Sequence, residues 1–338
     1  MKVAVVILNW NGKSFLEKFL PSVIQHSQGV AEIIVADNAS TDDSVAFLET
    51  EYPAIRIIRN KTNAGFASGY NQALYQVKAD YYVLLNSDIE VTENWIQPVI
   101  DKMEKDSQVA ACQPKILSYH DRQKFEYAGA AGGFIDHLGY PFCRGRLFQT
   151  LEEDEGQYDD TTEIFWATGA CMFVRADLFH RFGGFDDDFF AHMEEIDFCW
   201  RLKNEGHKVF YIPTSRVYHV GGGTLPKSSS RKTYLNFRNN FMLLYKNLPV
   251  WELPVVFGKR LLLDAIAGLK FLFEGHYKDF FAVLRAHFSF YRRISTLRIK
   301  REGLKHKQIS RVYRKNIVFE YFLRRKKKFS DLDPLFFT

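Results

Sequence analysis

Tyr81-Tyr82-Val83-Leu84-Leu85-Asn86-Ser87-Asp88-Ile89-Glu90-Val91 is an apolar run of strand length that stops at a polar triplet ending in a carboxylate. In an open α/β sheet, ligands bind just outside the carboxyl ends of the strands. A carboxylate placed there can hold a divalent cation, and the cation can hold a diphosphate. Asp88 is the candidate for that role. The same residues also suit a plain Asn-Ser-Asp turn after a strand, so the decision rests on what surrounds them.

Upstream, strand and helix signals alternate. Residues 3–8 form a continuous apolar run, as expected of a strand buried on both faces. Asn9-Trp10-Asn11-Gly12 turns the chain, and Phe15, Leu16, Phe19, Leu20 and Val23 then fall at helical spacing. A second short strand, 32–36, ends at Asp37-Asn38-Ala39-Ser40-Thr41-Asp42, where Ser40 to Asp42 also suit a helix start. Residues 55–58 read as a third strand. A helix opens in Asn63-Ala64-Gly65-Phe66-Ala67-Ser68-Gly69-Tyr70-Asn71, and 83–85 is the fourth strand. Four alternations predict an α/β fold with a mostly parallel sheet, flanking helices and right-handed crossovers. Asn9, Asp37 and Asn86/Asp88 then lie at strand ends on one edge, where short polar side chains can grip a base, a ribose and a phosphate. Gly65 and Gly69 permit a close backbone approach. No GxxxxGK[ST] and no GxGxxG is present, which disfavours the P-loop and dinucleotide-binding classes.

These three ordered motifs, Asp37 to Asp42, Asn63 to Asn71 and Leu84 to Asp88, together resemble the donor half of family 2 glycosyltransferases with the GT-A fold. The resemblance is strongest to the bacterial rhamnosyltransferase-like branch and covers residues 1–225. It implies an inverting hexosyl-type transferase that uses a nucleoside diphosphate sugar, UDP- or dTDP-linked, and a divalent cation, Mn²⁺ or Mg²⁺. In that family the residue matching Asp37 contacts the nucleotide base. The residue matching Asp88 is the last acid of the DxD motif and binds the metal, while Asn86 stands where a full DxD has its first Asp. The candidate donor contacts are Asn9, Asn11, Asp37, Asn63, Gly65, Asn71, Asn86 and Asp88. A sugar-nucleotide pyrophosphorylase would carry a Gly-rich basic signature where this chain has Asn9-Trp10-Asn11-Gly12.

The donor half, 1–117, closes with a helical pattern over 93–105 and strand-like pieces at 109–112 and 115–117. In the acceptor half, 118–225, residues 118–163 show no clear period and predict a variable or mobile loop. Glu152-Glu153-Asp154-Glu155 reads there as a solvated acidic surface. Ala167-Thr168-Gly169-Ala170, between two apolar runs, is either the lining of a sugar pocket, as in the family, or a tight strand bend.

Ala191-His192-Met193-Glu194-Glu195-Ile196-Asp197 opens a helix whose first turn is acidic, as a helix dipole favours. The segment also resembles the family's "YxEDxDxxxR" signature, whose second acid is the catalytic base. That position is Glu195; Glu194 is its rival, and His192 replaces the usual Tyr. Chemistry requires such a base, because a sugar hydroxyl must lose its proton as it attacks. Val217-Tyr218-His219-Val220 ends a strand-like run before Gly221, Gly222 and Gly223, which predicts a flexible loop. By resemblance, His219 completes the metal shell with Asp88.

The net charge of +5 hides a split. Residues 1–225 hold 20 basic against 32 acidic side chains, and 226–338 hold 25 against 8. Residues 226–338 read as a basic, amphipathic helical region: 231–248 and 253–273 are helical, and Phe280, Phe281, Leu284, Phe288 and Tyr291 continue an aromatic theme. Four charges within 253–273 argue against a transmembrane span. Apolar faces with Lys/Arg flanks suit an anionic membrane surface, where a lipid-linked acceptor would reside. A helical bundle with solvated basic faces is the plainer alternative. No nucleic-acid module is recognisable. Four scattered cysteines and a first apolar run too short for a signal peptide fit a cytoplasmic enzyme, peripheral on the inner face of the membrane. The saccharide or lipid-linked acceptor would belong to cell-surface polysaccharide synthesis. A degenerate transferase acting as a scaffold or carbohydrate-binding partner is the alternative, kept open by Asn86 and Glu195.

Overall fold

The computed structural model describes residues 1–221, 229–307 and 309–338. The predicted alternation is present as β1 (Val3–Asn9), α1 (Lys13–Ser27), β2 (Glu32–Asp37), α2 (Ser44–Glu51), β3 (Arg56–Arg59), α3 (Gly65–Leu74) and β4 (Tyr81–Asn86). These strands run parallel in the order β4-β1-β2-β3. Val3, Val5 and Ile7 pack into one apolar layer with Leu16 and Leu20 of α1. Ala4 and Val6 pack into the opposite layer with Ala67 and Tyr70 of α3. Both faces are covered, so the strand is apolar at every position rather than at alternate ones.

Next come β5 (Ile89–Val91), α4 (Gln97–Lys105) and β6 (Val109–Ser118). The pieces at 109–112 and 115–117 are thus a single strand. Gln113 breaks the apolar pattern but is wholly buried, donating to Gly129 O and accepting from Thr168 N. The helix expected from residue 93 starts four residues later, after Trp95 and Ile96 have been buried in the core.

Residues 118–163 are not simply a loop. They build a second sheet from β7 (Gly133–Asp136), β8 (Pro141–Cys143), β9 (Arg146–Leu147) and β10 (Thr150–Leu151). Strands of two to four residues are too short to show a period. Gly133 is glycine for a packing reason: a Cβ there would stand 2.1 Å from the Trp166 ring. The acidic run is also only partly solvated. Glu152 is buried and accepts from Tyr158 Oη and Phe329 N. Asp154 pairs at 2.7 Å with Lys115, whose side chain is fully buried.

The main sheet is completed by β11 (Thr162–Ile164), β12 (Cys171–Arg175) and β13 (Lys208–His219), with α5 (Ala176–Arg181) and α6 (Glu194–Asn204) between the last two. Its order is β11-β13-β6-β12-β4-β1-β2-β3, with β5 pairing β13. β12 lies antiparallel between β4 and β6 and β5 antiparallel to β13, so the sheet is parallel over β1 to β4 and mixed beyond them.

The remaining elements are α7 (Ser230–Asn247), α8 (Leu253–Phe273), α9 (Tyr277–Arg292), α10 (Ile294–Glu302), β14 (Val312–Tyr313) and α11 (Ile317–Phe322). Contacts cross the change of composition near residue 225. β14 pairs with β7, and Lys246 of α7 reaches Asp197 of α6 at 2.9 Å. Among the described residues no helix is long and apolar enough to cross a membrane.

Candidate active site

The carboxyl ends of β1, β2 and β4 stand in register: Asn9 pairs with Asp37, and Leu8 with Asn86. This edge carries two acidic corners. The first is made by β4, β5 and β13. Asp88 immediately precedes β5, and the β5–β13 ladder sets His219 opposite Ile89. His219 Nε2 therefore lies 3.1 Å from Asp88 Oδ1, though 131 residues separate them in sequence. On its other side, His219 Nδ1 lies 3.0 Å from Glu126 Oε2. All three residues are buried.

Burial would depress the histidine's proton affinity, but the charges and hydrogen bonds of Asp88 and Glu126 outweigh it and push the imidazole up to about 10. For Asp88 and Glu126 the reverse holds. Burial would raise each carboxyl, and the His219 cation holds both below the usual carboxylate range. Glu126 had no sequence signal, because it follows a single bridge, Leu117 with Phe125, inside the stretch without periodicity. Gly222 and Gly223 lie outside the described residues. Among the described residues no group of three or more His, Cys, Asp or Glu side chains has the arrangement of a metal site.

The other candidate donor contacts divide. Asp37 is buried at the end of β2, accepting from Asn9 Nδ2 at 3.2 Å and from Ser40 N at 3.0 Å. Asn9 is itself fully buried and also donates to Ser40 Oγ. Asn11 adopts φ 50° and accepts from Thr41 N at 2.7 Å, pinning the 37–42 loop from the neighbouring turn. Asn63 accepts from Asn38 Nδ2 and Gly65 N. Asn71 donates to Phe185 O and Asp187 Oδ1 and accepts from Phe185 N. Asn9 and Asn71, both buried, and Asn11 and Asn63, both exposed, thus each bond to the protein's own groups and brace loops at the strand ends. Asn86 is half-buried, and its backbone donates to Ala170 O at 2.9 Å. Gly65 has φ +91°, and a Cβ there would stand 2.4 Å from Phe190 O. The glycine is required by a close approach to the segment that opens the second corner.

That second corner is the start of α6. Glu194 is buried, Glu195 is half-buried, and one carboxylate oxygen of each, Oε2, has no hydrogen-bond partner among the described residues. Burial pushes Glu195 up to about 7, against the pull of backbone donors that include Gly169. Glu194 is raised well above the carboxylate range by burial first, then by the charges of Glu195 and Asp197. The nearby acids, alike in sequence, are different in fact. Asp197 is held by Arg201 and Lys246, Asp186 by Lys246 and Lys300, and Asp188 by Arg293 and Lys300. His192 Nε2 is buried and has no hydrogen-bond partner among the described residues, and burial with the Lys232 charge lowers the imidazole to about 4.

The Ala167–Ala170 turn between β11 and β12 joins the corners. Ala170 O takes the Asn86 N–H, and the Gly169 backbone faces Glu195. A Cβ on Gly169 would stand 2.7 Å from the Phe66 ring, so the turn is also tightly packed. A fixed negative charge beside a cationic imidazole and a pair of carboxyls poised to take protons thus lie along one edge of the sheet.

Three comparisons agree with this geometry. Residues 4–183 match the family model described as "Glycosyl transferase family 2". The chain is 26% identical over 233 residues to N-acetylglucosaminyl-diphospho-decaprenol L-rhamnosyltransferase of Mycobacterium tuberculosis, covering 64% of this chain and 75% of the relative. It is 26% identical over 230 residues to rhamnosyltransferase WbbL of Escherichia coli, covering 64% of this chain and 83% of the relative. In fold it is similar to a crystal structure of GalNAc-T7 with UDP, GalNAc and Mn²⁺, at TM-score 0.57 and 17% identity, over 75% of this chain and 49% of that one.

Proposed function

The chain belongs to glycosyltransferase family 2, and from that premise we propose that it moves a sugar from a UDP- or dTDP-sugar to a saccharide or lipid-linked acceptor during cell-surface polysaccharide synthesis, inverting the anomeric carbon. The observation that carries this reading is the opposition of the two corners. Asp88 lies 3.1 Å from His219, while Glu194 and Glu195 each keep an Oε2 without a hydrogen-bond partner among the described residues.

Asp88 and His219 are the proposed metal ligands. Their donor set fits a divalent cation: a carboxylate oxygen and an imidazole nitrogen face each other at 3.1 Å, Glu126 stands 3.0 Å from the far ring nitrogen, and the imidazole would release its Nε2 proton on taking up the ion. A Mn²⁺ or Mg²⁺ ion held there supplies positive charge against a diphosphate leaving group. Asp37 and the braced 37–42 loop receive the base and ribose. Glu195 is the proposed base, with a proton affinity suited to neutral pH. It takes the proton from the acceptor hydroxyl while that oxygen bonds to the anomeric carbon. The bond to the diphosphate breaks on the opposite face, which inverts the centre. Glu194, whose proton affinity is raised in the same direction, is its rival for that role.

The acceptor's setting follows from α8 and α9. Val255, Leu262, Ile266, Leu269 and Phe273 form one exposed stripe on α8, with Phe273 86% exposed. Tyr277, Phe281, Leu284, Phe288 and Tyr291 form another on α9. The charges of α8 that argued against a span are partly turned inward, since Arg260 and Asp264 are buried and paired. An apolar outer face with exposed Lys259, Lys270, Lys278, Arg285 and Arg292 around it suits adhesion to an anionic membrane, on the cytoplasmic side where nucleotide sugars are made. Binding to anionic but not zwitterionic vesicles, lost in Phe273→Ser/Phe281→Ser/Phe288→Ser, tests this; equal binding to both would refute it.

Nucleoside diphosphate release from UDP-, dTDP- and GDP-sugars, with Mn²⁺, Mg²⁺ or EDTA and a lipid extract as acceptor source, tests the function. Metal-dependent release from one donor is expected. Silence across the panel together with no donor binding would point instead to a degenerate scaffold. Retained anomeric configuration by NMR would refute the inverting mechanism.

A further inference from the structure

Immediately before the two glutamates the backbone is strained. Phe190, His192 and Met193 have φ of 65°, 71° and 75°, and none of them is glycine. A left-handed conformation costs an L-residue about 1–2 kcal/mol, so the surrounding structure must impose it. The segment is gripped from two sides. On one, Phe190 O accepts from Phe66 N at 2.7 Å and Ala67 N at 3.3 Å, in the first turn of α3. On the other stands α7. Asn239 is completely buried, and its Nδ2 donates to Phe189 O at 2.9 Å, Ala191 O at 2.9 Å and His192 O at 2.7 Å.

The orientation of that amide is itself determined. Arg238 Nε donates to Asn239 Oδ1 at 2.8 Å, and a guanidinium has no acceptor to offer, so the oxygen must face the arginine and the NH₂ must face the loop. Arg238 Nη2 adds bonds to Asp188 O and Phe189 O. The carbonyls of 188, 189, 191 and 192 are thereby all turned toward α7, while that of 190 turns toward α3. The path held in this way runs through the positive-φ residues Phe190, His192 and Met193 and delivers the chain to α6 with Glu194 and Glu195 in its first turn.

We propose that Asn239, oriented by Arg238, is a positioning residue for sugar transfer: its carboxamide holds residues 189–192 in the strained path that aims Glu194 and Glu195 at the acceptor. The proposal rests on the reading of Glu195 as base. It assigns the basic helical region a part in the chemistry, beyond adhesion. α7 packs on α9, with Tyr234 Oη 2.8 Å from Ser289 Oγ and the Phe241 ring against Phe290, so the apolar-faced hairpin is rigidly connected to the base-bearing segment.

The test uses full-length Asn239→Ala and Asn239→Asp, each alone and combined with Glu195→Gln. Amide hydrogen exchange over 186–196, calorimetric donor Kd, and kcat and KM for transfer are measured. A misplacement of about 1 Å costs on the order of 100-fold in rate. Expected are faster exchange confined to that segment, a donor Kd within twofold of the parent, and kcat down about 100-fold. In the Glu195→Gln background the same substitution should cost less than threefold, because the group it positions is gone. Unchanged exchange in both variants would overturn the proposal whatever the activity. So would a loss of donor affinity in parallel with kcat in both, which marks a general lesion. Faster local exchange with lowered kcat, in a protein whose Glu195→Gln variant transfers normally, would overturn the base assignment and leave the clasp standing.

Discussion

Two acidic corners on one sheet edge meet opposite electrostatic fates. At Asp88 a buried carboxylate is answered by His219, which is answered again by Glu126, and every charge in the row is stabilised by its neighbour. At Glu194 and Glu195 two carboxyls are adjacent in sequence, mostly withdrawn from water, and each keeps one oxygen, Oε2, without a hydrogen-bond partner among the described residues. Among the described residues, Lys246, Arg201, Arg293 and Lys300 pair with Asp186, Asp188 and Asp197 nearby. A group that must hold charge is given counter-charge, and a group that must collect a proton is deprived of it. The contrast separates structural acids from reactive ones within a run where all of them look alike.

Substitutions can break each corner separately. At the first corner the larger effect is expected at Asp88→Asn. It removes the charge that anchors the row and should lower kcat/KM for transfer by about 10²–10³-fold, the scale seen when one stabilising group opposite a developing charge is lost; steady-state kinetics checks this. Glu126→Gln leaves both proposed ligands in place but weakens the hold on His219. Loss of a carboxylate that braces a ligand's far side typically costs about 10–100-fold in metal affinity, read by Mn²⁺ titration of activity.

The smallest effect is one of stability, and it has a distinctive sign. Glu195 has a folded-state affinity raised from an ordinary glutamate's to about 7, and Glu194 is raised too. The fold therefore binds more protons than the unfolded chain between those limits. Their stabilising contribution is complete below the unfolded value and is lost as pH rises through the folded one. Glu194→Gln should accordingly have its smallest effect at acid pH and become progressively stabilising as pH rises to 8, measured by urea unfolding across that range. An equal effect throughout would mean the pair is not electrostatically frustrated.

The comparison also shows what could be read from sequence. The donor half was legible because its strands are buried on both faces, giving unbroken apolar runs, and because Asp37 and Asp88 follow directly on strand ends. His219 was legible as the last residue of a run. Glu126 was not, since it belongs to a stretch of two- to four-residue strands whose register is fixed by contacts such as Gly133 on Trp166. The asparagines 9, 11, 63 and 71 were legible as important but not as to purpose. An amide that braces a loop and an amide that touches a ligand have the same sequence signature. Which acids are paired was likewise invisible, because Lys246, Arg293 and Lys300 arrive from more than 45 residues downstream.

The most direct test of the account separates donor binding from transfer. Calorimetric titration of the active nucleotide sugar in the presence of Mn²⁺ would be run on the parent, Asp88→Asn and Glu195→Gln, beside transfer assays on the same preparations. The account predicts that Asp88→Asn loses metal-dependent donor binding, while Glu195→Gln binds donor as the parent does and loses transfer by about 10²–10⁴-fold, the usual contribution of a general base. Parent-like donor binding by Asp88→Asn, or parent-like transfer by Glu195→Gln, would contradict the division of labour between the two corners.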